Sequence, residues 1–242
     1  MFQKITNPRR IAKVFAEELK SLLGSNLLSV YLYGSVATGE FFPQKSNLNF
    51  LIVLDALDPL TFSKLSERSR RWARSFKVEP LFLTKHEIMR SLDVFPLEFF
   101  EMKDKHIWIY GENIFRKIKI SRKALRVQCE HGLRSKLVLL RQGYMRDRSN
   151  VKNLLAFSAG AIAVNLRGLL YLKKDKIPLK HEEVVQDAAE AYGFNPRSFL
   201  LALELRHKLF YFKQRELHYI FQNYVEELKK LVEKVDQLKA RS

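Results

Sequence analysis

The stretch Leu32–Leu54, LYGSVATGEFFPQKSNLNFLIVL, decides how this chain is read. Upstream of it, Leu27 to Tyr33 is an apolar, β-rich run of the length of a buried strand. That strand delivers Gly34-Ser35 to a tight turn, and a turn region follows as far as Pro43. A second strand is predicted from Asn47 to Leu54, NLNFLIVL. It opens with two polar side chains at alternate positions, Asn47 and Asn49, before a wholly apolar run. Positions i and i+2 of a strand share one face. Asn47 and Asn49 are therefore expected to look together towards the Gly-Ser turn.

Outward from this pair, helix and strand patterns alternate. Pro8 opens a helix with Ile11, Val14, Phe15, Leu19, Leu22 and Leu23 on one face, and Gly24 ends it. Thr61 to Arg74 reads as a polar, basic helix with Leu65 and Trp72 turned inward. Val78 to Leu83 reads as a third strand, and Pro80 places it at an edge or a bend. Thr84 is placed as an N-cap, with Glu87 completing a capping box. Ile107 to Tyr110 reads as a short fourth strand closed by Gly111.

From Arg122 onward the pattern is helical. Cys129, Leu133, Leu137, Leu140 and Tyr144 form one apolar stripe, and Arg134, Arg141 and Arg148 recur every seven residues on another face. Leu154 to Leu172 is apolar nearly all round, as in the central helix of a bundle. Ser158, Asn165 and Arg167 interrupt it, which argues against a membrane span. Lys173 to Lys180 is a charged loop containing Pro178, and Asn195-Pro196 is a cap and first-turn pair for a further helix. Leu217, Phe221, Tyr224, Leu228, Leu231, Val235 and Leu238 are spaced as an a/d seam. Such a seam packs on the chain's own bundle or on a second copy in a homodimer. The expected class is α+β: an α/β domain with a mixed sheet over residues 1–118, then an all-α helical bundle over 119–242.

The chain has 242 residues and a formal net charge of +17. Only nine Gly and seven Pro argue against a many-turned all-β fold and against low complexity. The charge is concentrated. Residues 116–180 carry 17 basic and 3 acidic side chains, a net of +14, while residues 181–242 carry ten of each. A clustered positive field points to a polyanionic partner. One cysteine, Cys129, excludes a disulfide framework. Met1-Phe2-Gln3-Lys4 leads into no apolar core, so no secretory signal is expected and the expected location is the cytoplasm.

Gly-Ser on one strand, a spacer, and two polar residues two apart on the next resemble the signature of the nucleotidyltransferase superfamily. The similarity is to its small members related to kanamycin nucleotidyltransferase and to the minimal nucleotidyltransferases. It covers the α/β third closely, and an α/β domain followed by helices fits the larger members. The family writes the second element Asp-x-Asp. Here the string is Ser46-Asn47-Leu48-Asn49-Phe50. The resemblance implies that those aspartates hold divalent metal on a triphosphate, with a third carboxylate on a later strand as general base. Glu79 is the nearby candidate for that third acid. Asparagine keeps the shape but loses the charge that Mg²⁺ requires.

The expectation is thus a catalytically degenerate nucleotidyltransferase-like protein, a pseudoenzyme that binds a nucleotide or nucleic acid. Gly34 and Ser35 would contact phosphate through the turn. Arg134, Lys136, Arg141 and Lys152 would supply positive charge from the helical domain. No metal and no cofactor are expected, and Mg²⁺ enters only if the chain is an active transferase moving a nucleoside monophosphate to an acidic acceptor. A third reading is a dimeric interaction module joined through the terminal seam. Arg126 and His131 match the R-x₄-H pair of helical nucleases, but an Arg126–Glu130 pair one turn apart explains the same residues.

Overall fold

A computed structural model of the chain describes residues 7–39, 41, 46–174, 176–207 and 212–238. The start of the chain and Pro43 of the predicted turn lie outside these residues. The chain divides into two compact units, residues 1–94 with 98–120, and residues 95–97 with 121–242.

The first unit is built on a four-stranded mixed sheet in the order β3-β2-β1-β4. Strand β1 (Leu27–Tyr33) pairs antiparallel with β2 (Leu48–Leu54) and with β4 (His106–Gly111). Strand β3 (Val78–Thr84) lies parallel to β2, so a crossover is required between them, and helix α3 (Pro59–Phe76) supplies it. Pro80 sits on this edge strand, where its missing N–H costs no ladder bond on the solvent side. Helix α1 (Pro8–Leu23) precedes β1, and a short helix α2 (Ser35–Thr38) follows it. Helices α4 (Lys85–Arg90) and α5 (Pro96–Asp104) fill the interval before β4.

Period-two alternation in β2 feeds two cores. Phe50, Ile52 and Leu54 face α1 and α3, where Phe15 lies against Phe50 at 4.7 Å and against Trp72 at 5.0 Å. Such aromatic pairs contribute about 0.5–1.5 kcal/mol each beyond area burial. Leu51 and Val53 face the opposite core with Ile88, Phe99, Met102 and Phe115. The predicted capping box is present: Thr84 accepts from the Glu87 N–H at 3.1 Å while the Glu87 carboxylate accepts from the Thr84 N–H at 2.7 Å. Helix α1 needs a correction. Its buried residues are Ala12, Phe15, Ala16 and Leu19, and Val14 is 54% exposed. Two alanines bring the helix close to the sheet and rotate the buried stripe away from Val14.

Beyond β4, Glu112 is a junction. Its carbonyl accepts from Ser29 Oγ at 2.5 Å and Tyr31 OH at 2.8 Å, and its carboxylate from Lys117 at 2.6 Å and Lys85 at 2.8 Å. The hydrogen bond from Lys117, then that from Lys85, hold the Glu112 carboxyl down at about 2. A depressed carboxylate stabilises the fold fully above the ordinary glutamate range, and that contribution is lost as pH falls through the folded value. Thermal unfolding should therefore show a low-salt loss between about pH 4 and pH 2 that Glu112→Gln lacks. Because the pair is exposed, salt should shrink the difference.

The second unit is a helical bundle of α6 (Arg122–Arg146), α7 (Val151–Tyr171), α8 (His181–Tyr192), α9 (Arg197–His207) and α10 (Gln214–Asp236). Helix α7 packs against all four of the others, as its all-round apolarity predicts. By length and composition Arg148–Tyr171 is apolar enough to cross a membrane, but 67% of its most apolar window is buried inside the chain, as in a core helix. Fully buried Arg167 donates to the Pro178 carbonyl at 2.6 Å, tying the charged loop to α7. The Arg134–Arg141–Arg148 periodicity is broken, because α6 ends at Arg146 and Asp147 accepts from the Ser149 N–H at 2.9 Å in a separate turn.

Of the two alternatives for the terminal seam, the structure shows packing on the chain's own bundle. Leu217, Phe221, Tyr224, Leu228, Leu231 and Val235 are buried within the chain's own bundle, and Leu238 lies past the end of α10. Phe221 stacks on Tyr144 at 4.5 Å, and Tyr224 shares a buried hydrogen bond with Ser158 at 3.0 Å. Those six side chains are covered within the chain's own bundle.

Candidate functional site

Strand register assembles one polar row in the first unit. Tyr33, Asn49 and Glu79 are direct neighbours across β1, β2 and β3. Asn49 and Glu79 are each the second residue of a strand in a parallel pair, which is why residues thirty apart stand side by side. Asn47 falls one position before β2, not within it as predicted. Its amide Nδ2 donates to Glu79 Oε1 at 2.5 Å. Asn49 instead lies against the turn, so the two asparagines have different partners.

Gly34 closes the row. It ends β1 at φ 78°, ψ −146°, a region open to glycine, and caps α2, where its carbonyl accepts from Ala37 N–H at 2.9 Å. A Cβ at Gly34 would stand 2.9 Å from Asn49 Nδ2. The turn and Asn49 therefore fit only because residue 34 has no side chain. Ser35 follows as the first residue of α2 and is half-buried. Tyr33 was not singled out by sequence. Burial raises its phenol, and the Glu79 charge raises it further, which marks the two as electrostatic neighbours.

The row does not fit a resident divalent cation. Magnesium selects hard anionic oxygens in a near-octahedral set. The row offers one carboxylate, and that carboxylate already accepts an amide N–H. Asn47 turns a donor, not a lone pair, towards Glu79.

Comparison with solved structures bears on the fold. The chain is similar to spectinomycin adenyltransferase AAD(9) from Enterococcus faecialis, a crystal structure with ATP and spectinomycin. The TM-score is 0.57 with 16% identity, covering 93% of this chain and 100% of that one. This is a nucleotidyltransferase fold. No protein-family model and no curated protein matches the sequence.

Within this nucleotidyltransferase fold the four predicted basic residues of the helical unit do not form one patch. Arg134 is held by Glu130 at 2.8 Å and by Asp236 at 3.4 Å. Lys136 is two residues on, about 200° round the helix from it. Arg141 shares the Arg134 side and is exposed. Lys152 stands in the first turn of α7, where it lines a cavity with His181 and Arg206. Arg126 donates to Glu130 at 2.9 Å and to the Val235 carbonyl at 3.2 Å, so the R-x₄-H residues are an ion-paired helix face with an exposed His131. Burial pushes the Glu130 carboxyl up, but the bonds from Arg134 and Arg126 outweigh it and its net shift is downward.

Proposed function

We propose that this nucleotidyltransferase-fold protein binds a nucleotide or a nucleic-acid segment and performs no metal-dependent transfer. The observation that carries the reading is the row Asn47–Asn49–Glu79, in which a lone carboxylate accepts from an amide. A triphosphate-processing site needs charge-neutralising metals on the phosphates as well as a place to bind them. This row keeps the place and lacks the anionic ligands. The AAD(9) structure contains ATP, which supports nucleotide as the ligand class for the shared fold. The net +14 over residues 116–180 supports a polyanion over a polycationic aminoglycoside.

The test is calorimetry with ATP and with a short oligonucleotide, with and without Mg²⁺, beside an assay for pyrophosphate. Binding of equal strength with and without Mg²⁺, and no pyrophosphate, is expected. Release of pyrophosphate that Asn49→Ala abolishes would overturn the reading in favour of an active transferase.

A further inference from the structure

The helical unit holds a cavity of about 810 Å³ lined by α7, the first residue of α8, and α9. Its chemistry is one-sided. Three basic side chains from three elements reach it, Lys152, His181 and Arg206, and among its described lining residues there is no carboxylate. Its floor is made of small and apolar positions of α7, and its rim carries Phe157, which is 82% exposed. An exposed phenyl ring beside Lys152 and Arg206 offers a face on which a flat aromatic group can stack.

Arg206 lies against α7 at Gly160. A Cβ at Gly160 would fall 1.3 Å from Arg206 Nη1. The guanidinium lies on the backbone of α7 at a position where any other residue would displace it. Phe157 is three residues before Gly160, so ring and guanidinium share one side of the helix. A guanidinium fork and an ammonium suit a phosphate, which accepts several charge-assisted hydrogen bonds at once. An exposed aromatic face suits a base, because every base has a face to stack.

We infer that this cavity is a site for a nucleotide unit, with phosphate held by Arg206 and Lys152 and the base stacked on Phe157. The inference rests on the proposed function for the class of ligand, while every residue of the site comes from the helical unit. The same phosphate-plus-base chemistry is offered by a free nucleotide and by the strand of a single-stranded oligonucleotide. A polycation such as an aminoglycoside would be repelled by Lys152 and Arg206.

Phe157→Trp in the full chain gives a fluorophore at the cavity rim that keeps an aromatic face. It is titrated without metal by ATP in one arm and by an eight-nucleotide oligouridylate in the other. Saturable quenching is expected in at least one arm, and which arm is tighter identifies the source. Arg206→Glu in that background should weaken binding about tenfold or more, through loss of a charge-assisted fork. Lys123→Glu, the same charge change on the exposed start of α6, should weaken it less than about twofold at 0.15 M salt. If circular dichroism shows that Arg206→Glu disturbs the bundle, Lys152→Glu takes its place with the same expectation. Binding by calorimetry without quenching would overturn this site and spare the proposed function. No binding by either method would overturn both. Quenching that Lys123→Glu weakens as much as Arg206→Glu would reduce the cavity to a diffuse field and overturn the site.

Discussion

Gly111→Ala should cost the sheet unit about 4 kcal/mol or more, enough to unfold a marginal domain, read as the shift in urea midpoint at constant slope. Gly111 ends β4 at φ 80° and pairs with Ser29. A Cβ there would lie 1.9 Å from the Leu28 carbonyl oxygen and 2.8 Å from its carbon. These are backbone atoms of the central strand, so no rotamer change relieves the overlap. The same carbonyl accepts from the Glu112 N–H at 3.0 Å. Pushing it away separates β4 from β1 where Ser29 and Tyr31 both donate to the Glu112 carbonyl. Conformational strain at a positive φ contributes about 1–3 kcal/mol, and the overlap adds to it. A midpoint shift under 1 kcal/mol would mean that β4 can slide off β1 without loss, and the junction drawn at Glu112 would be wrong.

Local patterning carried the sheet well, because its signals are local. The apolar runs of β1 and β2 are bounded by turns, and the strands end within one residue of the predicted limits. The edge placement of β3 followed from one proline, and the cap at Thr84 from one glutamate three residues on. Helix α5 went unseen since Pro96–Asp104 crowds aromatics and acids without a single apolar stripe. Helix α1 is legible from Pro8 and Gly24, but its buried face is not, because alanine scores weakly in a periodicity argument and packs closest in the structure.

Partners distant in sequence were the illegible part. Nothing near Arg134 announces Asp236. The 4-3 spacing of α10 reports one apolar face and is silent on whose surface covers it. Glu79 could be named as an acid on a later strand, but its place beside Asn49 depends on a parallel register that only the folded sheet sets. Tyr33 was hidden for the same reason, since it meets Asn49 across an antiparallel pair. The cavity of α7 combines Phe157, His181 and Arg206, residues whose spacing carries no periodic signal at all.

Placing carboxylates in the polar row should create a metal site. In the double variant Asn47→Asp with Asn49→Asp, three carboxylates would stand in one row, since Glu79 is already bonded to residue 47 and paired with residue 49. Manganese affinity, read by calorimetry or by loss of the free-ion paramagnetic signal, should rise about a hundredfold or more over the parent chain. The variant should also be less stable than the parent without metal, by about 1–3 kcal/mol, because like charges crowd and Glu79 loses its amide donor. Saturating manganese should return that stability, since an ion that binds only the folded state shifts unfolding by mass action. The two effects are opposite in sign and have one cause, so neither can arise from a general loosening of the sheet. A parent chain that already binds manganese as tightly as the variant would mean that the asparagines are not what sets the metal affinity of this fold, and the degenerate reading would fail with it.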